Sequence, residues 1–375
     1  MTLSTKLSNQ WKRTVSEASL HLRALSRTTS GSDAGRVLFF PSAGREGASL
    51  LRAYNMADAL SSLGWQTSCV SPLVRADGRR RIIASFAPDL LIFQQSRHPL
   101  NAPEHAYGVP YVLDTDDADF YLKTPGLAER LERTSRKAAG VIAGSRFLRD
   151  WHAERCSQSA VVWTGSPVSI GERIRHDQRE RHAAPILAWA QAKPLAYREE
   201  LDFVARLVTR VRERQAGFVL RCYGISSPSE ADELRSRLPP NVPVQTLPPL
   251  PYPDFVRSLN DVAVGLSPVM AQSPFSRGKS FGKILGYLDA QVPIIASDEA
   301  DHALFFDGKN GIVSNSLDEW SDWTVRLLTS AADRQAMADR AFADFQTRLS
   351  LQAAAERTDR FLRRMIDRPC GGSRV

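Results

Sequence analysis

From Arg36 onward the chain repeats one pattern: a short apolar run, a turn, then a longer stretch with apolar residues three or four apart. Val37 to Phe40 reads as a strand, PSAGREG as a turn, and Ala48 to Leu63 as a helix ended by Gly64. Gln66 to Val70, Asp89 to Phe93, Val109 to Leu113, Gly140 to Ala143 and Ala160 to Trp163 supply further short strands. Helical stretches separate most of them, as in βαβ units of a parallel sheet, whose ligands sit at the carboxyl ends of the strands. Ile170 to Ala184 is charged and nearly free of large apolar residues, so it marks a domain boundary. A second alternation follows. Ile186 to Ala190, Phe218 to Tyr223, Pro243 to Leu247 and Val262 to Leu266 read as strands, with helices at Leu201 to Arg214 and Asp254 to Leu259. The expected domains are residues 36–169 and 185–345 around a linker at 170–184, with a last helix in 346–375 crossing back to the first domain.

The stretch Ser273 to Ser297 carries the most chemistry. Phe281, Ile284, Leu285 and Leu288 recur at helical spacing, which predicts one amphipathic helix with Lys279, Lys283 and Gly286 on its polar face and Ser280 at the edge. Cations in the first turns of a helix oppose its macrodipole, so an anion is expected beside them. Arg277 and Gly278 add a fixed charge and a backbone that a ligand can approach closely. Val292 to Ser297 then reads as a buried strand. Exposed lysines on such a face are ordinarily only solvated, and it is their clustering with Arg277 and Ser280 that points to a phosphate site.

Two further features fall at predicted strand ends. Gly44, Arg45, Glu46 and Gly47 form a glycine-rich turn that suits a phosphate or a sugar, or simply a tight turn. Asp114, Asp116 and Asp117 cluster after the strand VPYVL, where carboxylates could hold a divalent metal, bind hydroxyls or cap a helix.

Composition narrows the class. The 375 residues are 43% hydrophobic and 24% charged, in the range of a globular protein with room for two cores. No apolar run approaches the ~20 residues of a membrane span. The four cysteines are scattered without CxxC spacing, which speaks against a metal cluster or disulfide framework and fits a reducing compartment. A net charge of +8 favours anionic partners. Nucleic acid is not expected among them, because no aromatic-basic platform or recognition motif accompanies the charge. In residues 1–27 Leu3, Leu7, Trp11, Val15, Leu22 and Leu25 form a stripe among basic residues, a basic amphipathic helix before a linker that runs to residue 35. Such a segment would dock on the protein or stay disordered, lie on an anionic membrane surface, or act as a transit peptide.

GKSFGKILGYLDAQVPIIAS, preceded by VAVGLSPVMAQSPFSR, resembles the donor-site segment of retaining GT-B glycosyltransferases of the "glycosyl transferases group 1" class, also called family 4. Lys279, Ser280, Lys283, Tyr287, Val292, Pro293, Ala296 and Ser297 match a common subgroup. Gly278 and Gly286 stand where the class carries glutamates. The resemblance implies a GT-B fold, two Rossmann-like parallel-sheet domains facing a central cleft, and transfer of a sugar from a UDP- or GDP-linked donor to a glycan, glycolipid or similar acceptor. It implies donor contacts at Lys193, Arg277, Gly278, Lys279, Ser280, Lys283, Asp298 and Glu299, and places Gly44, Arg45 and Gly47 near the donor phosphates. Asp114, Asp116, Asp117 and Lys283 become the candidate catalytic residues. With no metal motif in the second domain, no cofactor or metal is expected, and the nucleotide sugar is a co-substrate. The expected location is cytoplasmic, peripheral on the inner membrane face if residues 1–27 contact lipid. The missing glutamates motivate an alternative, a non-catalytic GT-B-like protein that binds a glycan or partners an active enzyme.

Overall fold

A computed structural model describes residues 34–167, 176 and 184–367. The predicted amphipathic segment 1–27 and most of the 170–184 boundary lie outside the described residues. The chain divides into two compact units, one comprising residues up to Gly165 together with those from Leu351 onward, the other Ser166 to Ser350.

In the first unit six parallel strands lie in the order β2-β1-β3-β4-β5-β6: β1 Arg36–Phe40, β2 Gln66–Cys69, β3 Leu90–Gln94, β4 Tyr111–Thr115, β5 Gly140–Ala143 and β6 Ser159–Val161. Helices cover both faces of a parallel sheet, so β1, β3 and β5 read as largely apolar runs, whereas the edge strand β2 is polar. Alternate residues divide between two cores. Leu38, Phe40, Leu91, Phe93 and Leu113 enter one. Val37, Phe39, Ile92, Val112 and Ile142 enter the other, which the helix Leu351–Ile366 closes with Ala354, Ala355, Phe361 and Leu362. Trp65 Nε1 donates to Asp359 of that helix at 2.7 Å. A Cβ at Gly140 would stand 2.7 Å from the Phe361 ring, so the start of β5 has no room for a side chain.

The second unit holds β7 Ile186–Trp189, β8 Val219–Tyr223, β9 Val244–Leu247, β10 Val262–Ser267, β11 Ile294–Ala296 and β12 Ile312–Val313. All pairings are parallel, in the order β12-β11-β10-β7-β8-β9, which is the doubly wound Rossmann order. Trp189, Leu201, Leu207, Leu220, Leu266 and Trp320 are among the buried residues of its core. Strand order reverses between β7 and β10 here, and between β1 and β3 in the first unit. Ligands of open α/β sheets bind outside the carboxyl ends at such points, which directs attention to the loops after these four strands.

Two helical expectations are corrected. The stretch expected as one helix over Ala48 to Leu63 is a short α-turn Gly47–Ser49, a π-helical segment Leu50–Tyr54 and a helix Asn55–Ser61. The helix expected through Lys279, Lys283 and Gly286 is a 3₁₀ turn, Phe281–Lys283, followed by a five-residue helix, Leu285–Asp289. A 3₁₀ turn advances ~120° per residue rather than ~100°, so the following helix is out of phase with the wheel drawn from the sequence. Gly286 is therefore buried, not on the polar face, and a Cβ there would lie 2.6 Å from the Phe255 ring.

Candidate functional site

In the second unit β7 ends at Trp189, and its loop carries exposed Lys193, the 3₁₀ turn Pro194–Ala196 and half-buried Tyr197. Tyr197 then gathers the two lysines from the other side of the switch point. Lys279 Nζ donates to Tyr197 Oη at 2.5 Å and lies 4.6 Å from its ring centroid, while Lys283 Nζ lies 4.7 Å from the same ring. Phe275 is a second ring beside Lys279, at 5.0 Å. Cation–π attraction holds two like charges close, a geometry that favours a bound polyanion. The sequence reading placed these lysines by a helix N-terminus. A five-residue helix supplies little macrodipole, and the aromatic rings position them instead.

The neighbouring loops are tied to this centre. Arg277 Nε pairs with Glu299 at 3.1 Å. Asp298 is exposed, and its backbone N–H donates to Asn315 Oδ1 at 2.9 Å. Val269 N–H donates to Ser297 Oγ at 3.0 Å, joining the exits of β10 and β11. Tyr287 is buried, accepts from Ala190 N at 2.9 Å and donates to Ala188 O at 3.1 Å, fixing the exit of β7. Gly278 is buried and Ser280 half-buried between Arg277 and the 3₁₀ turn. At Gly224, φ is +88° and a Cβ would meet the Gln191 carbonyl at 2.1 Å, so only glycine lets β8 pass this loop.

In the first unit the loop after β1 exposes Gly44, Arg45 and Gly47, with Gly47 at φ +48° and the Arg45 guanidinium 4.8 Å from the Tyr54 ring centroid. Beneath it Ser42 and Ser49 donate to Gln94 Oε1 at 3.0 and 2.8 Å. Gln95, held at φ +57°, donates to Asp116 Oδ1 at 2.7 Å. Asn101 donates to the carbonyls of Phe40, Gln94 and Gln95, closing the ends of β1 and β3 together.

The three aspartates have different surroundings. Both oxygens of Asp114 accept from Arg52, at 2.7 and 2.8 Å, and both residues are buried. Arg52 also donates to Val162 O and Thr164 Oγ1 at 3.0 Å each. Through Arg52, Asp114 braces the strand ends. Burial raises its carboxyl above the usual range, against the pull of Arg52. Asp116 is half-buried, and burial, then the charge of Asp117, pushes its carboxyl up to about 7. Asp117 and Asp119 share Arg97, at 2.7 and 2.5 Å. Burial raises buried Asp119 to about 6 although Arg97 opposes it. Among the described residues no three His, Cys, Asp or Glu side chains converge as a metal-binding group, and arginines organise this turn.

Comparison with solved structures places this architecture. A sucrose-phosphate synthase from Thermosynechococcus elongatus is 12% identical over 88% of this chain and 98% of its own, with a TM-score of 0.65. HepE from Anabaena, solved with UDP and glucose, is 12% identical over 88% of this chain and 99% of its own, also at 0.65. A glycosyltransferase from Rickettsia africae is 11% identical over 90% of this chain and its full length, at 0.62. The fold is GT-B. The sequence matches no known family profile and no curated protein.

Several residues of these two clusters carry little signal in the sequence. Arg52 had a signal, a cation inside an otherwise apolar helix face; Gln94 and Gln95 had one too, paired amides at the end of a buried run. Tyr197 and Arg97 had none, because their roles depend on loops distant in sequence.

Proposed function

We propose that the protein transfers a sugar from a UDP- or GDP-linked donor to a glycan or lipid-linked acceptor, without a metal ion and with retention at the anomeric carbon. The observation that carries this reading is the pair of lysines gathered on Tyr197 at the switch point of a GT-B sheet. Lys279 and Lys283, with Lys193, Arg277 and the backbone at Gly278 and Ser280, would neutralise the departing diphosphate through charge-assisted hydrogen bonds as the sugar becomes oxocarbenium-like. Asp298 and Glu299 would meet the donor, Glu299 also steering Arg277. Asp116 and Asp117 would accept hydrogen bonds from the acceptor hydroxyl, and the turn at Gly44, Arg45 and Gly47 would bind a phosphate or a sugar. HepE was solved with UDP, which favours UDP as the first nucleotide to test. A basic segment at residues 1–27 suits an acceptor carried on a membrane lipid, and no described helix is long and apolar enough to cross one.

Calorimetric titration with UDP, GDP, ADP and their hexose conjugates tests this. Selective binding of one nucleotide, weakened at least about tenfold in Lys279→Ala/Lys283→Ala, is the expected result. A folded wild type that binds none of them overturns the donor-site assignment. Gly286 supports a second reading, a non-catalytic partner, because the place of the class glutamate is filled by Phe255. Donor hydrolysis or transfer that disappears in the double variant eliminates it.

A further inference from the structure

We infer that Tyr121 and Phe147 form a stacking platform for one pyranose ring, the acceptor sugar on the transfer reading above. The carboxylate loop runs directly into this platform. Asp119–Tyr121 is a 3₁₀ turn, closed by Tyr121 N–H to Ala118 O at 2.9 Å, and Arg97 clamps Asp117 and Asp119 on either side of Ala118. Phe120 lies parallel over Trp151, with centroids 4.4 Å apart and planes 5° apart, and both pack against the first-unit core. Arg155 lies 3.6 Å from the Trp151 centroid, a second partner for the indole. Tyr121 and Phe147 extend the stack outward. Phe147 is 6.2 Å from Phe120 at 25°, and Tyr121 is 6.5 Å from Phe147 at 28° while tilted 52° to Phe120, so Tyr121 and Phe147 face within about 30° of one another. Tyr121 is 47% exposed, among the few large apolar side chains left at the surface.

A pyranose with equatorial substituents has a flat C–H face and a rim of hydroxyls. Flat aromatic rings suit the first and carboxylates the second. Asp116, Asp117 and Tyr121 lie on one loop, and Phe147 on the helix Arg146–Ala153 beside it. An acyl chain has no hydroxyls to offer Asp116 and Asp117, whose carboxylates can accept more hydrogen bonds than those they take from Gln95 and Arg97, which selects the sugar as occupant.

The test is saturation-transfer NMR on the full chain with methyl β-glucoside, methyl β-galactoside and cellobiose as probes, alongside UDP titration. Saturation on the axial C–H protons of at least one probe, with affinity about fivefold weaker in Tyr121→Ala and in Phe147→Ala and retained in Tyr121→Phe, is the expected outcome. Unchanged UDP binding in these variants shows that they remain folded. UDP binding without saccharide binding, or saccharide binding indifferent to all three variants, overturns the platform and leaves the transferase reading standing. Platform-dependent saccharide binding without binding of any nucleotide supports the platform and overturns the transferase reading. Concentration-dependent self-association lost in Tyr121→Ala, with no saccharide binding, also overturns it, in favour of a contact between two copies.

Discussion

Asp116 is the residue whose charge state is set closest to neutrality, and that has a kinetic consequence. Its carboxyl is held up at about 7 by burial and by Asp117. The ionised form is the one that accepts a hydrogen bond or a proton from an acceptor hydroxyl, so kcat/KM for the acceptor should rise with pH through the neutral range and level off above it. Asp116→Asn should remove the inflection and lower the plateau by about 10²-fold, measured from about pH 5 to about pH 9. Gln95→Ala withdraws the 2.7 Å hydrogen bond that stabilises the ionised form and should move the inflection upward. At this scale the sequence was only partly informative. The Asp-rich turn and the Lys279–Lys283 pair stood out by composition and spacing. What distinguishes Asp114 from Asp116 did not, because it depends on Arg52, distant by 62 positions.

At the scale of elements, the π-helical turn Leu50–Tyr54 is what brings Arg52 inward to Asp114. Removing one partner of a buried pair strands the other charge, so Arg52→Met should lower unfolding free energy by about 3 to 5 kcal/mol in denaturant titration. Arg52→Met/Asp114→Leu should recover most of that loss, since neither charge is then left unpaired. Periodicity marked a helix over this stretch but not its π segment, because hydropathy counts arginine as a surface residue and Arg52 is buried. The Phe281–Asp289 stretch failed in the same way. Its apolar spacing fits an α-helix, and only Phe255, 2.6 Å from the Cβ position of Gly286, reveals that Gly286 leaves the expected polar face and is buried. The strands were legible within a residue or two, apart from the short Ile312–Val313, and the central ones most clearly because a run buried on both faces is apolar.

For the whole molecule, doubly wound sheets were readable from the strand–helix alternation, whereas strand order and the two switch points were not. Order is decided by which crossovers pack on which face, and no local pattern encodes it. Protonation couples to stability at this scale. His152 is fully buried, with Nδ1 2.9 Å from Ser135 Oγ, and burial, then Arg155, lowers it to about 3. A depressed folded value means that the unfolded chain takes up a proton near pH 6.5 that the folded chain refuses. Stability from this group is thus present above about 6.5 and declines at about 1.4 kcal/mol per pH unit as pH falls toward the folded value. Asp116 and Asp119 act in the opposite sense, because their folded values are raised and they bind protons more readily when folded. His152→Asn isolates the histidine. Relative to wild type, its stability should improve by about that slope between about pH 6 and about pH 4 in urea titrations; a constant difference across that range contradicts the assignment.

The helix Leu351–Ile366 gives the first unit a property tied to time. Ala354, Ala355, Phe361 and Leu362 complete a core whose remaining members lie between Ala34 and Val162. On the ribosome those early strands emerge long before their last wall, while every described core residue of the second unit is already made. The first half of the chain must therefore wait, with Val37, Phe39 and Ile92 only partly covered, until its final helix arrives. During that interval it is the part most in need of a chaperone, and loss of its last seventeen or so described residues would make the vulnerability permanent.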